Sequence, residues 1–296
     1  MLNPCDQSFA DSLASTLPAL KVRPAEQRFL EEPRNKYFGQ PSFVASPANT
    51  EEVSAIVRLC ADARVGIQPY GGGTGLVGGQ LSDTGPANLI LSMDKMSAIR
   101  AVYPDENSLI AEAGATLASV HDAASDVDRL FPLSYASQGT AQIGSGLAVN
   151  SGGLNVLRYG MARDLCLGVE AVLADGSIFH GLKRLRKDNT GYDLRHLLIG
   201  AEGTLGIITA AALKLFPAPT RTGTAFLDVA SPTAALELLA RLRDAAGETI
   251  SAFELMAGEG MDFLNEALPD VRQPFASPPA WSVLVELATP DTLDPQ

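Results

Sequence analysis

The sequence predicts an α+β protein, and three observations carry that prediction. A helix-patterned segment between two short strands leads into a glycine-rich stretch near residue 70. A second pair of strands closes on Asp175-Gly176. After Pro217 the pattern runs strand, helix, strand, helix, strand. At 296 residues, 46% hydrophobic and 19% charged, the chain can build one or two domains with a real core.

Residues 1–37 read as a helical lead-in, because "DQSFADSLASTLPAL" has helical apolar spacing and stops near Pro18. In "SPANTEEVSAIVRLCADARVGIQPY", Asn49 and Glu52 have capping-box spacing. Val53, Ile56, Val57, Cys60 and Ala63 form one apolar stripe. Val65-Gly66-Ile67 is then a short strand, so the segment reads as a βαβ unit. "EAVLADGSIFH" predicts a hairpin with a two-residue Asp175-Gly176 turn. Ile207 to Phe216 is an apolar strand ended by Pro217. "TAFLDV", "ISAFELM" and "WSVLVEL" read as strands. A helix from Ser231-Pro232 to Gly247 and another near 257–267 lie between them, the order of an opening α+β half-domain.

The stretch "QPYGGGTGLVGGQ" holds six glycines in the nine positions 71–79. So bare a backbone serves positive φ or a close approach of main-chain N–H groups, and a phosphate is the ligand such groups suit. A nucleotide-hydrolysing P-loop needs Gly-Lys-Ser/Thr, and no Lys occurs from 65 to 94. Gly73-Thr74-Gly75-Leu76-Val77-Gly78 matches GxGxxG, but Gly85-Pro86 stops any helix that a dinucleotide fingerprint would have to open. A helix-free loop wrapping a pyrophosphate is what stays. A second segment, "PLSYASQGTAQIGSGLAVNSGGLNVLRYG", carries irregularly spaced glycines among Ile143, Leu147, Val149 and Leu154, unlike a linker. Two such segments read as one flat anionic ligand gripped from two sides, against the plainer reading of glycines that serve packing and turns.

Composition narrows the partners. A formal charge of −12 argues against nucleic acid, whose binding draws on Lys and Arg. Cys5, Cys60 and Cys166 are far apart with no CxxC, which fits reduced thiols and a cytoplasmic protein. His121, His180 and His196 have no metal-ligand spacing, so no metal site is expected. The N-terminus has no signal-peptide pattern and no 18-residue apolar stretch exists, so no transmembrane segment is expected.

"PYGGGTGLVGG", "IGSGLAVNSGGLNVLRYG", "VLADGS", "LRKDNTGYDL" and "IGAEGTLGIIT" together resemble the FAD-linked oxidase family of the vanillyl-alcohol-oxidase type. Within it the chain is most similar to the D-2-hydroxyglutarate, D-lactate and glycolate dehydrogenases. The resemblance implies a two-lobed PCMH-type FAD-binding domain at 38–217, with lobes 38–97 and 98–217. The first part of a ferredoxin-like cap follows at 218–296, and the chain reads as C-terminally truncated against the family. It implies that Gly71, Gly72, Gly73, Thr74 and Gly75 offer N–H groups to the FAD pyrophosphate, with Leu76, Gly79 and Gln80 closing the loop. Pro132, Gly139, Thr140, Gly144, Val149 and Gly153 would run along the flavin and ribityl chain. Glu202, Gly206 and Ile207 would reach the isoalloxazine and adenine regions.

The chain also departs from the family. Ser145 stands where a glycine is usual, Val149 where a threonine is usual, and Ser134 where an acid is common, so Val149 has no hydroxyl for the flavin. Some relatives attach flavin through a His in the first loop; no His or Cys lies between 61 and 120, which implies non-covalent FAD. The family's base and metal ligands fall beyond Gln296, so no catalytic residue is assigned. The implied reaction is oxidation of a D-2-hydroxy acid, first D-2-hydroxyglutarate, with glycolate or D-lactate as alternatives. Electrons would pass to a flavoprotein or quinone carrier. The competing expectation is an FAD-binding fragment without turnover, able to form a homo-oligomer or pair in trans through uncovered sheet edges. A sugar-nucleotide reductase is disfavoured by "NTGYDL" and "SAFELM". Arg158 and Arg163 read first as structural ion-pair residues, and "LKRLRKDN" as a solvated loop.

Overall fold

A computed structural model describes residues 2–289; residues 290–296, the end of the expected cap segment, lie outside the described residues. In chain order the elements begin with α1 (Gln7–Thr16), β1 (Lys21–Pro24), β2 (Phe43–Ser46), α2 (Thr50–Ala63), β3 (Ile67–Tyr70) and β4 (Leu89–Ser92). Next come β5 (Ile99–Tyr103), β6 (Ser108–Glu112), α3 (Leu117–Ser125), β7 (Arg129–Leu130), α4 (Ile143–Ala148) and α5 (Val156–Tyr159). Then follow β8 (Cys166–Leu173), β9 (Ile178–Gly181), α6 (Arg195–Leu198), β10 (Gly206–Lys214) and β11 (Phe216–Pro217). The last are β12 (Arg221–Asp228), α7 (Pro232–Ala246), β13 (Ile250–Ala257), α8 (Gly258–Ala267) and β14 (Trp281–Thr289). This mixture of helix and sheet is the α+β class that the sequence predicts.

The chain forms two compact units. The first holds the chain up to Phe131, Tyr135–Ser151 and Ala162–Phe216; the second holds Pro132–Ser134, Gly152–Met161 and the chain from Pro217.

In the first unit, one sheet has the order β1-β2-β4-β3. Strand β4 pairs in parallel with both β2 and β3, and its "LILS" is buried throughout, as a central parallel strand requires. Helix α2 crosses between β2 and β3 and buries Val53, Ile56, Val57 and Cys60. Asn49 accepts the Glu52 N–H at 2.8 Å, while the Glu52 carboxylate accepts from Ala48 N–H at 2.8 Å, a capping box displaced by one residue. Strand β3 starts at Ile67, two residues later than the sequence reading, because Val65 is taken by a bridge to Asn3. The segment before residue 38 is more than a helix: β1 pairs with β2, and Cys5, Leu13 and Leu20 enter the same core as Val53, Ile56 and Leu89.

The other large sheet is antiparallel, β5-β6-β10-β8-β9, with β10 central and buried from Ile207 to Leu213. The β8–β9 turn corrects the two-residue expectation. Leu173 N–H reaches Ser177 O at 2.9 Å and Gly176 takes φ 78°, so three residues form the loop and Gly176 supplies the left-handed position. Glu170 on β8 accepts from Thr50 Oγ1 at 2.7 Å, Arg100 at 3.2 Å and Thr209 Oγ1 at 3.1 Å, joining α2, β5 and β10 to one carboxylate.

In the second unit the sheet order is β12-β14-β13, all antiparallel, with Val283 and Val285 of β14 buried. Ser231 caps α7 by accepting from Ala234 N–H at 3.1 Å, with Pro232 in the first turn as predicted. Helices α5, α7 and α8 pack against β13. Strand β12 is an edge of the described sheet and is largely exposed.

Candidate functional site

The first glycine stretch, residues 71–88, contains no helix and no strand, as its composition dictates. Its carbonyls are held by side-chain amides: Gln80 Nε2 donates to Gly75 O at 2.9 Å and Gln68 Nε2 to Gly79 O at 3.0 Å. None of the N–H groups of Gly72 to Gly79 donates a hydrogen bond among the described residues. A loop with its carbonyls tied down and its N–H groups unspent is suited to an anion. Thr74 and Gly75 lie on this free run, while Leu76 and Val77 are exposed at its tip.

The second glycine segment meets the first directly. A Cβ placed on Gly72 would come within 1.9 Å of Thr140 O, and one on Gly71 within 2.5 Å of Ser145 Oγ. Gly73 has φ 69°, and a side chain there would strike Tyr70 Oη. Part of the bareness therefore serves loop-on-loop packing, the plainer of the two sequence readings, and part leaves N–H groups free. Within the second segment "IGSGLA" is the short helix α4, which the glycine count had concealed. Gly144 is buried against Ala113, and Val149, its side chain exposed, ends the helix. Gly139 and Thr140 are exposed, and nothing lies within 4 Å of a Cβ on Gly139. Pro132 and Gly153 belong to the second unit. There Asn155 Nδ2 donates to Pro132 O at 3.0 Å, and Ser134 O leaves no room for a side chain at Gly153.

The third segment closes on the end of α4. Gly200 and Glu202 donate their N–H groups to Leu147 O at 3.0 Å and Ala148 O at 2.9 Å, tying this segment to the carbonyl end of the helix. Glu202 takes φ 51°, and its Oε2 lies 3.6 Å from a Cβ built on Gly79. Gly206 sits under Val172 O and pairs with Leu173, and the buried Ile207 packs into the core. The structure thus brings 71–80, 139–149 and 200–207 together within one unit. A recess of about 220 Å³ adjoins the third of these segments, lined among others by Cys60, Ile67, Pro69, Val172, Gly203 and Ile207. The unspent N–H groups of the first loop suit the pyrophosphate of a cofactor.

Arg163 holds this arrangement from behind. Its guanidinium donates to His196 O and Ile199 O, each at 2.5 Å, and its N–H donates to Asn150 Oδ1 at 2.9 Å. Arg158 donates to Ala288 O at 2.6 Å within the second unit. The "LKRLRKDN" run is an exposed loop, with Lys183 paired to Asp188 and Arg184 to Glu106. Sequence reasoning missed Arg28, Tyr70, Asp94 and Gln142, which hydrogen bonds spanning 42 to 66 residues link to one another, with Gln142 against Gly71. No local pattern marks such contacts. Burial pushes the Cys60 and Cys166 thiols up to about 12. No group of three or more His, Cys, Asp or Glu that could hold a metal occurs among the described residues. Nor is any helix among them long and apolar enough to cross a membrane.

Comparison with known proteins agrees with this geometry. Residues 41–181 match the family model described as an FAD binding domain. The mitochondrial D-2-hydroxyglutarate dehydrogenase of Arabidopsis thaliana is 36% identical over 87% of this chain and 46% of its own length. The mitochondrial D-2-hydroxyglutarate dehydrogenase of Rattus norvegicus is 39% identical over 81% of this chain and 44% of its own. A D-2-hydroxyglutarate–pyruvate transhydrogenase of Saccharomyces cerevisiae is 32% identical over 95% of this chain and 57% of its own. The chain spans about half the length of these relatives. A solved alkyldihydroxyacetonephosphate synthase superposes with a TM-score of 0.78 at 20% identity, covering 99% of this chain and 58% of that one, which shows a shared fold. Residues 41–181 therefore form an FAD binding domain, and D-2-hydroxyglutarate dehydrogenases are among the relatives of this chain.

Proposed function

We propose that this chain binds FAD non-covalently and serves the oxidation of a D-2-hydroxy acid, first D-2-hydroxyglutarate, to the 2-oxo acid. The observation that supports it most is the loop 72–79, whose N–H groups are all unspent among the described residues. In this reading Gly72, Gly73, Thr74 and Gly75 hold the pyrophosphate through their backbone, and the recess at Pro69, Gly203 and Ile207 seats the adenine ring. The Glu202 carboxylate offers an acceptor to a cofactor hydroxyl. Gly139, Thr140 and Val149 lie along the flavin, with Val149 contributing only backbone and apolar surface. FAD, when bound, supplies the hydride acceptor for the C2–H of the substrate. The domain division at 38–217 and 218–296, and an electron carrier of flavoprotein or quinone type, belong to the same proposal. So does pairing in trans at the open edge of β12. Three free, buried thiols support a reducing, cytoplasmic setting, which cell fractionation tests.

A second reading, FAD binding without turnover, is favoured by one feature. The segments 71–80, 139–149 and 200–207 contain no histidine to take a hydroxyl proton. An anaerobic titration decides. The purified chain should show a flavin spectrum, and D-2-hydroxyglutarate should bleach it. Bleaching by glycolate or D-lactate alone would change the substrate. Bleaching by dithionite alone would establish the second reading. A chain that takes up no FAD would remove both.

A further inference from the structure

Gln142 sits where the two glycine segments meet, and its orientation is set from outside them. Its Nε2 donates to Asp94 Oδ1 at 3.0 Å, and Asp94 Oδ2 accepts from the Arg28 guanidinium at 3.0 Å. Arg28 lies 4.1 Å over the Phe29 ring, and its carbonyl accepts from Tyr70 Oη at 2.6 Å. Tyr70 ends β3 and is followed directly by Gly71. The contacts thus form a chain that leaves the first loop at Tyr70 and returns to it at Gln142.

A carboxylate can only accept, so Asp94 compels the amide nitrogen of Gln142 toward itself and the amide oxygen the other way. That oxygen is buried, has no hydrogen-bond partner among the described residues, and lies 3.6 Å from a Cβ built on Gly71. An unsatisfied buried acceptor is costly. Here it faces the first residue of a loop whose N–H groups are unspent. Were the amide to turn over, its NH₂ would face the loop instead, a donor set against donors.

We propose that Arg28, Asp94 and Gln142 form a positioning relay that fixes the first glycine loop for FAD, with none of the three touching the cofactor. This rests on the FAD reading above. The Arg28 and Asp94 side chains are 54% and 34% exposed. An ion pair so open to water adds little to stability, so its removal leaves the fold intact. Gln142 is 6% exposed and cannot adjust as freely, so the loss is felt as a change in which end of its amide meets Gly71.

The test is FAD affinity by fluorescence titration of the apoprotein, with the apoprotein melting temperature measured alongside. Arg28→Ala and Asp94→Asn should each weaken FAD binding by about tenfold, with melting shifted by no more than about 2 °C. Arg28→Lys, which keeps a cation against Asp94, should recover most of the affinity. Unchanged affinity in both weakening variants overturns the relay and leaves the FAD site standing. Affinity lost in step with melting temperature also overturns it, because the contacts are then merely structural. A wild-type chain that binds no FAD removes the underlying reading as well.

Discussion

The carbonyl oxygen of Thr140 stands where a side chain at Gly72 would have to begin, 1.9 Å from an ideal Cβ. The contact is backbone against backbone, so neither partner can move without shifting its loop. Gly72→Ala should destabilise the chain by about 1–3 kcal/mol, as overpacking does, and abolish FAD uptake. Gly139→Ala meets open space and should change stability by less than about 0.5 kcal/mol. A larger Gly139→Val should lower FAD affinity at unchanged melting temperature. Equal affinity in Gly139→Val and wild type would move the flavin away from residue 139.

Glu170 predicts an acid limit to stability. Burial works against its charge, but hydrogen bonds from Thr50 and Arg100, aided by the Arg100 charge and Thr209, hold its carboxyl below the usual range. Its contribution is therefore present above the ordinary carboxylate value and lost as pH falls through the lower folded value, below about pH 4. Glu170→Gln should cost about 3 kcal/mol at neutral pH and flatten the fall in stability on acidification. Parallel denaturation curves at several pH values check the slope.

Arg163 is a structural residue in this fold, so Arg163→Ala should cost about 2 kcal/mol through its lost bonds to His196 O and Ile199 O. If the chain turns over, the same variant should lower kcat through a displaced 200–207 segment while KM moves little. A rise in KM alone would instead mark Arg163 as a substrate ligand.

The three thiols should be silent in the folded state. All are buried, and burial raises the pKa of each, so a disulfide reagent should label fewer than one thiol per chain within minutes at pH 8. Denaturation should release three. Fast labelling before unfolding would show that the core around Cys60 opens.

Elements whose causes are local were legible in the sequence. Helix α2 carries its cap and its apolar stripe within its own residues, and α7 announces itself by Ser231-Pro232. Helix α4 escaped because Gly144 and Gly146 lower its intrinsic propensity; contacts with Ala113 and Ala115 hold it in place instead. The β8–β9 turn was found at the right residues with the wrong length, since Asp-Gly suits both two-residue and three-residue loops.

By itself the sequence marked the glycine segments near 71–80 and 139–153 as backbone suited to an anionic ligand, and pointed to 200–206 through its family resemblance. It did so because bare backbone serves a close main-chain approach, whether of a ligand or of another loop. Which glycines are bare for packing and which for a ligand was decided only by the tertiary structure. Gly72 and Gly139 are the same residue in similar company, yet one is closed by Thr140 O and the other is open. The difference is a long-range approach of two backbones, and a linear pattern carries no information about what arrives from sixty-eight residues away.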